Sequence, residues 1–436
     1  MRRVSALNAL AALALAALAL LASATLATAS PDSVLRASLS RSIASAGPFS
    51  GAMVVDLGTG RTLFSRRPDG YRVPASNEKL YTSSVSLMRF GPGGHLTTRV
   101  LGSGAIGDDG TYTGDLYLRG GGDPTFGTTG FVRRVWGTGA TVSDLADQLV
   151  AAGIVRVRGA IVGDESFFDR RRGGPASGYA FDPYVGAPLS ALAFNRGLAN
   201  SRGSAIQARP ATFAADQLRR ALVAQGVPVS GRAREGSTPS DARELASVES
   251  PPLFTLIRLM NVPSDNYLAE MLIKDLGARF GGSGSTVAGA GVVRVRLASL
   301  GISPRVVDGS GLSHRDATTP RQVVRLLQYM ASSRRLATPF RNSLAVACRS
   351  GTLASRMCGT AASGRCRGKT GTLSGVSALS GYCALPTGRT VAFSFLMNGV
   401  SVTGARRLQN AMAAAIARYR PPPLVTPPPA AQPAAR

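Results

Sequence analysis

Apolar residues first recur at helical spacing over residues 32–46, where Val34, Leu35, Leu39 and Ile43 share one side and Gly47 supplies a stop. The run Gly51-Ala-Met-Val-Val-Asp-Leu57 then predicts a strand, Gly58-Thr59-Gly60 a turn, and 61–65 the returning strand. Pro74 stands just before a further helical stretch, where a missing backbone N–H costs nothing. From 97 to 248 the texture changes to short strands, such as 115–119 and 154–161, alternating with helices over 142–152 and 212–225. Gly120-Gly-Gly-Asp-Pro124 and Gly163-Asp-Glu-Ser166 mark sharp turns there. Helical periodicity returns between 252 and 332, with helices over 266–276, 285–300 and 319–330, interrupted by Asp308-Gly-Ser-Gly311. Three strands follow at 364–373, 377–385 and 390–397, and a helix over 404–419 completes the pattern.

Two early strands and three late ones predict one antiparallel five-stranded sheet that the chain leaves and re-enters. The N- and C-terminal helices would cover one face and the helical middle the other. The expected division is therefore α+β: a discontinuous domain of 30–96 and 249–420, and one or two inserted α/β subdomains over 97–248. Residues 421–436 are rich in Pro and Ala and read as a disordered tail. Residues 1–29 read as an export signal: Arg2 and Arg3, an alanine-rich apolar run, then Ala27-Thr28-Ala29 as a small-x-small cleavage site. An uncleaved N-terminal anchor is the alternative. Either form puts the body outside the cytoplasm, in the periplasm, the cell wall or the medium.

Export makes disulfides the natural reading of Cys348, Cys358, Cys366 and Cys383. Of the three possible pairings, Cys358–Cys366 with Cys348–Cys383 is favoured because the first closes a short loop containing Gly and Ser. No CxxC spacing is present, so neither zinc nor another metal is expected. The formal net charge is +26, yet the arginines are dispersed and aromatics amount to only 6%, which speaks against a nucleic-acid partner. The charge suits association with an anionic wall or membrane surface. Only three lysines occur (Lys79, Lys274 and Lys369), an arginine-for-lysine skew of the kind that genome composition produces.

Two of those lysines lie in short polar motifs. Ser76 and Lys79 are three residues apart, which puts both side chains on one helix face. Serine needs a base beside it, and Lys79 can serve if burial and a second ammonium, such as Lys369, lower its pKa. Ser264-Asp265-Asn266 alone would be a helix N-cap, and Lys369-Thr370-Gly371 alone a strand entering a turn. His95 and His314 are the only histidines, and neither a G-x-S-x-G elbow nor H-E-x-x-H is present, which argues against a histidine triad or a zinc peptidase.

The three motifs in this order resemble the penicillin-binding proteins and serine β-lactamases. More narrowly, the chain is similar to the class C low-molecular-mass D-alanyl-D-alanine carboxypeptidases/endopeptidases, peptidase family S13. Pro74-Ala-Ser-Asn-Glu-Lys-Leu-Tyr-Thr82, Gly120-Gly-Gly-Asp-Pro124, Gly163-Asp-Glu-Ser-Phe-Phe168 and Asp308-Gly-Ser-Gly-Leu-Ser313 also look like segments of that family. The long separation of Ser76 from Ser264 fits its inserted domains better than a compact class A β-lactamase.

The resemblance implies a transpeptidase-like fold, cleavage of peptidoglycan stem peptides without a cofactor, and covalent inhibition by β-lactams. It implies Ser76 as nucleophile, Lys79 as base, Ser264 as proton relay and Asn266 as a substrate ligand that also holds Lys79. Lys369 and Thr370 would grip the terminal carboxylate. The backbone N–H groups of Ser76 and Thr372 would form the oxyanion hole. Gly371 would be small so that substrate can lie along the strand edge. His314 and Arg315 either line the pocket for the peptide stem or sit on an exposed loop. Whether endopeptidase cleavage accompanies the carboxypeptidase reaction is open. A β-lactamase or esterase on the same fold is one alternative, and a catalytically decayed wall-binding protein is another.

Overall fold

The computed structural model describes residues 30–200 and 203–423, so the expected export signal and all but the first residues of the Pro/Ala tail lie outside the described residues. Helix α1 (Pro31–Ser45) starts where the Ser30 hydroxyl accepts the Ser33 N–H, and it buries Leu35, Leu39 and Ile43. Strands β1 (Ser50–Asp56) and β2 (Thr62–Arg66) follow as a hairpin. A 3-10 turn (Ala75–Glu78) runs directly into α2 (Lys79–Phe90).

The next segment builds sheets of its own. It comprises β3 (Thr97–Gly102), β4 (Ala105–Ile106), β5 (Thr111–Thr113), β6 (Leu116–Arg119), α3 (Thr129–Val135) and α4 (Val142–Ala151). It continues through β7 (Arg156–Arg158), β8 (Ile161–Asp164), α5 (Pro210–Ala224), β9 (Arg234–Glu235) and β10 (Arg243–Glu249). The strand orders are β10-β3-β6-β8-β9 and β4-β5-β7. Leu145 and Leu149 of α4 and Leu218 and Leu222 of α5 pack with Leu116, Leu118 and Ile161 in one apolar core. The single strand expected over 154–161 is thus two strands in different sheets: β7 pairs with β5 and β8 with β6. The break falls at Gly159, where a Cβ would lie 1.9 Å from the Gly114 carbonyl oxygen. That close backbone approach turns the chain from one sheet to the other.

Helices α6 (Leu253–Asn261), α7 (Asn266–Phe280), α8 (Thr286–Ala298), α9 (Pro320–Ser332) and α10 (Ala337–Asn342) come next. The chain then adds β11 (Ala345–Val346), β12 (Cys366–Leu373), β13 (Val376–Ala384), β14 (Thr390–Asn398) and α11 (Val402–Arg418). The early and late strands join in one sheet, β11-β12-β13-β14-β1-β2, antiparallel throughout. It has six strands where five were expected. The extra strand is the two-residue β11, which pairs only with Gly368 and Arg367. The edge of β12 from Lys369 to Leu373 is therefore left without a strand partner on that side among the described residues.

Every residue of β1 is buried, because the sheet is covered on both faces. Alternate side chains divide between them: Ala52 and Val54 pack with α1 and α11, whereas Met53 and Val55 meet Val324 of α9. Leu39 and Ile43, both fully buried, fix α1 to the sheet, each contributing about 1.5–3 kcal/mol of burial free energy. On the opposite face Tyr382 and Ala392 join the core of α2 and α6 to α10.

Both disulfides differ from the favoured pairing: they are Cys348–Cys358 and Cys366–Cys383. Cys366 and Cys383 are directly opposed across the β12–β13 ladder, with Cα atoms 4.1 Å apart. Cys348 is left to a local turn in which its N–H donates to Leu353 and Arg356 carbonyls, bringing it back to Cys358. Loop length misled because strand register decides which sulfurs meet. Tryptic mapping without reduction is expected to yield the peptide ending in Arg349 linked to the peptide containing Cys358, and Cys366-Arg367 linked to the peptide containing Cys383. Recovery of a Cys358–Cys366 peptide would contradict this register.

Candidate active site

Ser76 sits in the 3-10 turn and Lys79 opens α2, so the three-residue spacing does place them together: Lys79 Nζ donates to Ser76 Oγ at 3.0 Å. The same amine donates to Asn266 Oδ1 at 2.6 Å and to the Ser310 carbonyl at 2.7 Å. Lys79 is fully buried, and burial lowers its pKa to about 8. The charges of Asp308, Glu270, Asp265 and Glu78 oppose a deeper fall. The expected help from Lys369 is not what lowers it. Lys369 is itself pushed well down by burial and by the charge of Lys79.

Asn266 begins α7, whose N-cap is Asp265, accepting the Leu268 N–H. Its amide is oriented from both ends: Nδ2 donates to the Tyr184 carbonyl while Oδ1 faces Lys79. Asp265 is also tied to Arg196 at 2.6 Å. The long segment between the first two motifs thus braces the second one through Tyr184 and Arg196. Ser264 has φ +67°, a left-handed conformation that a non-glycine residue adopts only under constraint. Its Oγ accepts from Lys369 Nζ at 2.7 Å. Lys369 also donates to the Thr370 carbonyl, and its own carbonyl accepts from Asn77 Nδ2 at 3.0 Å, which joins β12 to the Ser76 turn.

Behind Lys79 the loop after Asp308 is wound around carboxylates. Glu270 of α7 accepts the Gly309 and Ser310 N–H groups, and Asp308 accepts those of Ser310, Gly311 and Ser313. This winding aims the Ser310 carbonyl at Lys79. Burial and Asp308 raise Glu270 to about 8, and Glu78, fully buried, is pushed well above the usual carboxylate range.

The motifs open on a cleft of about 570 Å³. Ser76, Ser264, Asn266, Thr370 and Thr372 line it, together with Thr352, Ser355, Arg356, Thr403, Arg406, Arg407 and Asn410. Lys369 does not, being fully buried behind Ser264 and Thr370, so it is not placed to grip a carboxylate in the cleft. Gly371 is small for a different reason from the one expected. Its Cβ would meet the Pro74 carbonyl oxygen at 2.5 Å and Ala75 Cβ at 3.2 Å, so it lets β12 close on the turn that carries Ser76. His314 and Arg315 are exposed and outside the cleft lining, because the Asp308 turn offers Ser310 to Lys79 and leaves residues 314 and 315 at the surface. The backbone groups of Ser310 and Tyr184 carry no signal in a sequence. The cleft residues of α11 do: Thr403, Arg406, Arg407 and Asn410 have the spacing of a single helix face.

Comparison with known proteins agrees with this geometry. The chain matches the D-Ala-D-Ala carboxypeptidase 3 (S13) family over residues 35–208 and 199–419. It is 32% identical to a D-alanyl-D-alanine carboxypeptidase of Actinomadura sp., covering 86% of this chain and 82% of that protein. It is 30% identical to carboxypeptidase DacB of Mycolicibacterium smegmatis, over 83% of this chain and 79% of that one. Among solved structures, penicillin-binding protein 4 of Haemophilus influenzae superposes with a TM-score of 0.70 at 19% identity, covering 86% of this chain and 97% of that one. The fold is that of the penicillin-binding proteins, α+β with a helical region beside the sheet. The match across nearly all the described residues, together with the relatives' identity, places the chain in the D-Ala-D-Ala carboxypeptidase 3 (S13) family.

Proposed function

We propose that the protein is a serine-type D-alanyl-D-alanine carboxypeptidase that cleaves peptidoglycan stem peptides through an acyl-enzyme on Ser76. The observation that carries this reading is the buried Lys79 amine, 3.0 Å from Ser76 Oγ and lowered to about 8. In its neutral form Lys79 takes the hydroxyl proton as Oγ bonds to the carbonyl carbon between the two terminal D-alanines. The C–N bond then breaks, and the departing amine takes up the proton that Lys79 received, by way of Ser264, whose hydroxyl is held by Lys369; Lys79 is left neutral again. Water then adds to the ester carbonyl, giving a proton to neutral Lys79, and that proton returns to Ser76 Oγ as the C–O bond breaks. Asn266 and the open edge of β12 provide polar groups along which an extended peptide can lie.

β-Lactams would acylate the same hydroxyl. The family match and the carboxypeptidase relatives favour a peptidase over a β-lactamase. We take residues 30–96 and 249–420 as the catalytic unit and 97–248 as its insert. Two disulfides suit an oxidising compartment such as the cell wall, and the net charge of +26 suits an anionic surface. No described helix is long and apolar enough to cross a membrane.

Two outcomes are expected. Fluorescent penicillin labels the purified protein, and Ser76→Ala abolishes the label; an unlabelled wild type would sink the proposal. The acylation rate also depends on neutral Lys79, the form gained as pH rises. It should climb about tenfold per pH unit and level off near pH 8, as read from the second-order rate constant of penicillin acylation. A rise continuing toward the free-lysine value of about 10.4 would show that burial does not lower Lys79, and an acylation rate that does not follow a base in this range would show that Lys79 is not the base.

A further inference from the structure

With Lys369 withdrawn behind Ser264, the positive charge facing the cleft belongs to α11 and the loop beside it. Arg406 and Arg407 are exposed, and Arg356 lies behind them. Among the described residues no carboxylate comes within ion-pair distance of any of the three; the ion pairs of the protein lie elsewhere. Three guanidinium groups on one wall without an anion is an uncompensated arrangement. In a chain with few acidic residues it is notable only because it coincides with the Ser76 cleft.

The three differ in what they can still do. Arg356 is anchored by neutral oxygens, donating to Asn410 Oδ1, Gln409 Oε1 and the Arg406 carbonyl. Burial and the charge of Arg406 hold it down to about 10. Arg406 instead reaches across to β12, where Nη2 donates to Thr372 Oγ1 at 3.1 Å. Thr370 and Thr372 are two residues apart on a strand and so project to the same side. An anion held by the threonine hydroxyls would meet the remaining donors of Arg406, whose planar fork fits a carboxylate with two parallel hydrogen bonds.

We propose that Arg406 recognises the carboxylate on the departing residue of the substrate, with Arg356 positioning it from behind and Arg407 adding to the local positive potential. The proposal rests on the peptidase reading above. It adds to that reading the residue by which this chain tells a free carboxylate on the leaving residue from an amide.

The test compares a diacyl-lysyl-D-alanyl-D-alanine peptide with its C-terminal amide on wild type, Arg406→Gln and Arg406→Lys, reading the ratio of the two kcat/KM values. That ratio does not depend on the folded fraction of a preparation. Wild type is expected to prefer the carboxylate. Arg406→Gln should cut the preference about ten- to hundred-fold, the range for a lost charge-assisted contact, and Arg406→Lys should restore part of it. A ratio unchanged in Arg406→Gln overturns the proposal, as does a wild type that cleaves both peptides equally well; in either case the peptidase reading stands. A wild type that cleaves neither peptide and takes no penicillin label overturns both.

Discussion

Everything at this site depends on holding one amine away from water. Lys79 is surrounded by Ser76 Oγ, Asn266 Oδ1 and the Ser310 carbonyl, each from a different part of the chain. Three acceptors suit an ammonium; a neutral amine needs one of them to turn donor, and only the serine hydroxyl can do so readily. The same shell therefore accommodates both protonation states, and the exchange between them is the proton transfer that makes Ser76 a nucleophile. Burial sets how easily the proton leaves, and the carboxyl groups behind the loop limit how far that effect goes.

The fold can be read as the means of assembling that shell. The early and late strands must close into one sheet before β12 can lie against the Ser76 turn, and Gly371 allows the contact. Glu270, one turn along α7 from Asn266, ties the second motif to the loop that presents Ser310. Tyr184 and Arg196 tie the same motif to the inserted segment. Displacing any of these alters where Asn266 and Ser310 stand relative to Lys79, so side chains that never touch substrate still influence the base.

What the sequence made legible was local. Spacing put Ser76 beside Lys79, and periodicity located α7, α8 and the strands of the main sheet, because each rests on interactions within a few residues. Most of the misreadings involve contacts between segments apart in the chain. The split at Gly159 depends on the Gly114 carbonyl, the cysteine pairing on the β12–β13 register, and the size of Gly371 on Pro74. His314 looked like a pocket residue because it follows a family-like segment, but the Asp308 turn exposes it. Arg406 and Arg407 could have been picked out by their helical spacing with Thr403 and Asn410. In a chain with so many arginines, that spacing had no contrast until the cleft supplied it.

The scarcity of lysine then acquires a physical side. Lys79, Lys274 and Lys369 are all fully buried: two stand in the motifs, and the third pairs with Asp169 at 2.6 Å. Replacing lysine by arginine is tolerable where a charge faces water. It is not tolerable where an amine must give up its proton, since a guanidinium stays charged at any pH a cell reaches. The difference also divides labour within the cleft: an amine whose burial makes it a base belongs next to the nucleophile, and a group that keeps its charge belongs where an anion is to be held. Lys79 and Arg406 occupy those two places, the first bonded to the Ser76 hydroxyl and the second to Thr372 of β12.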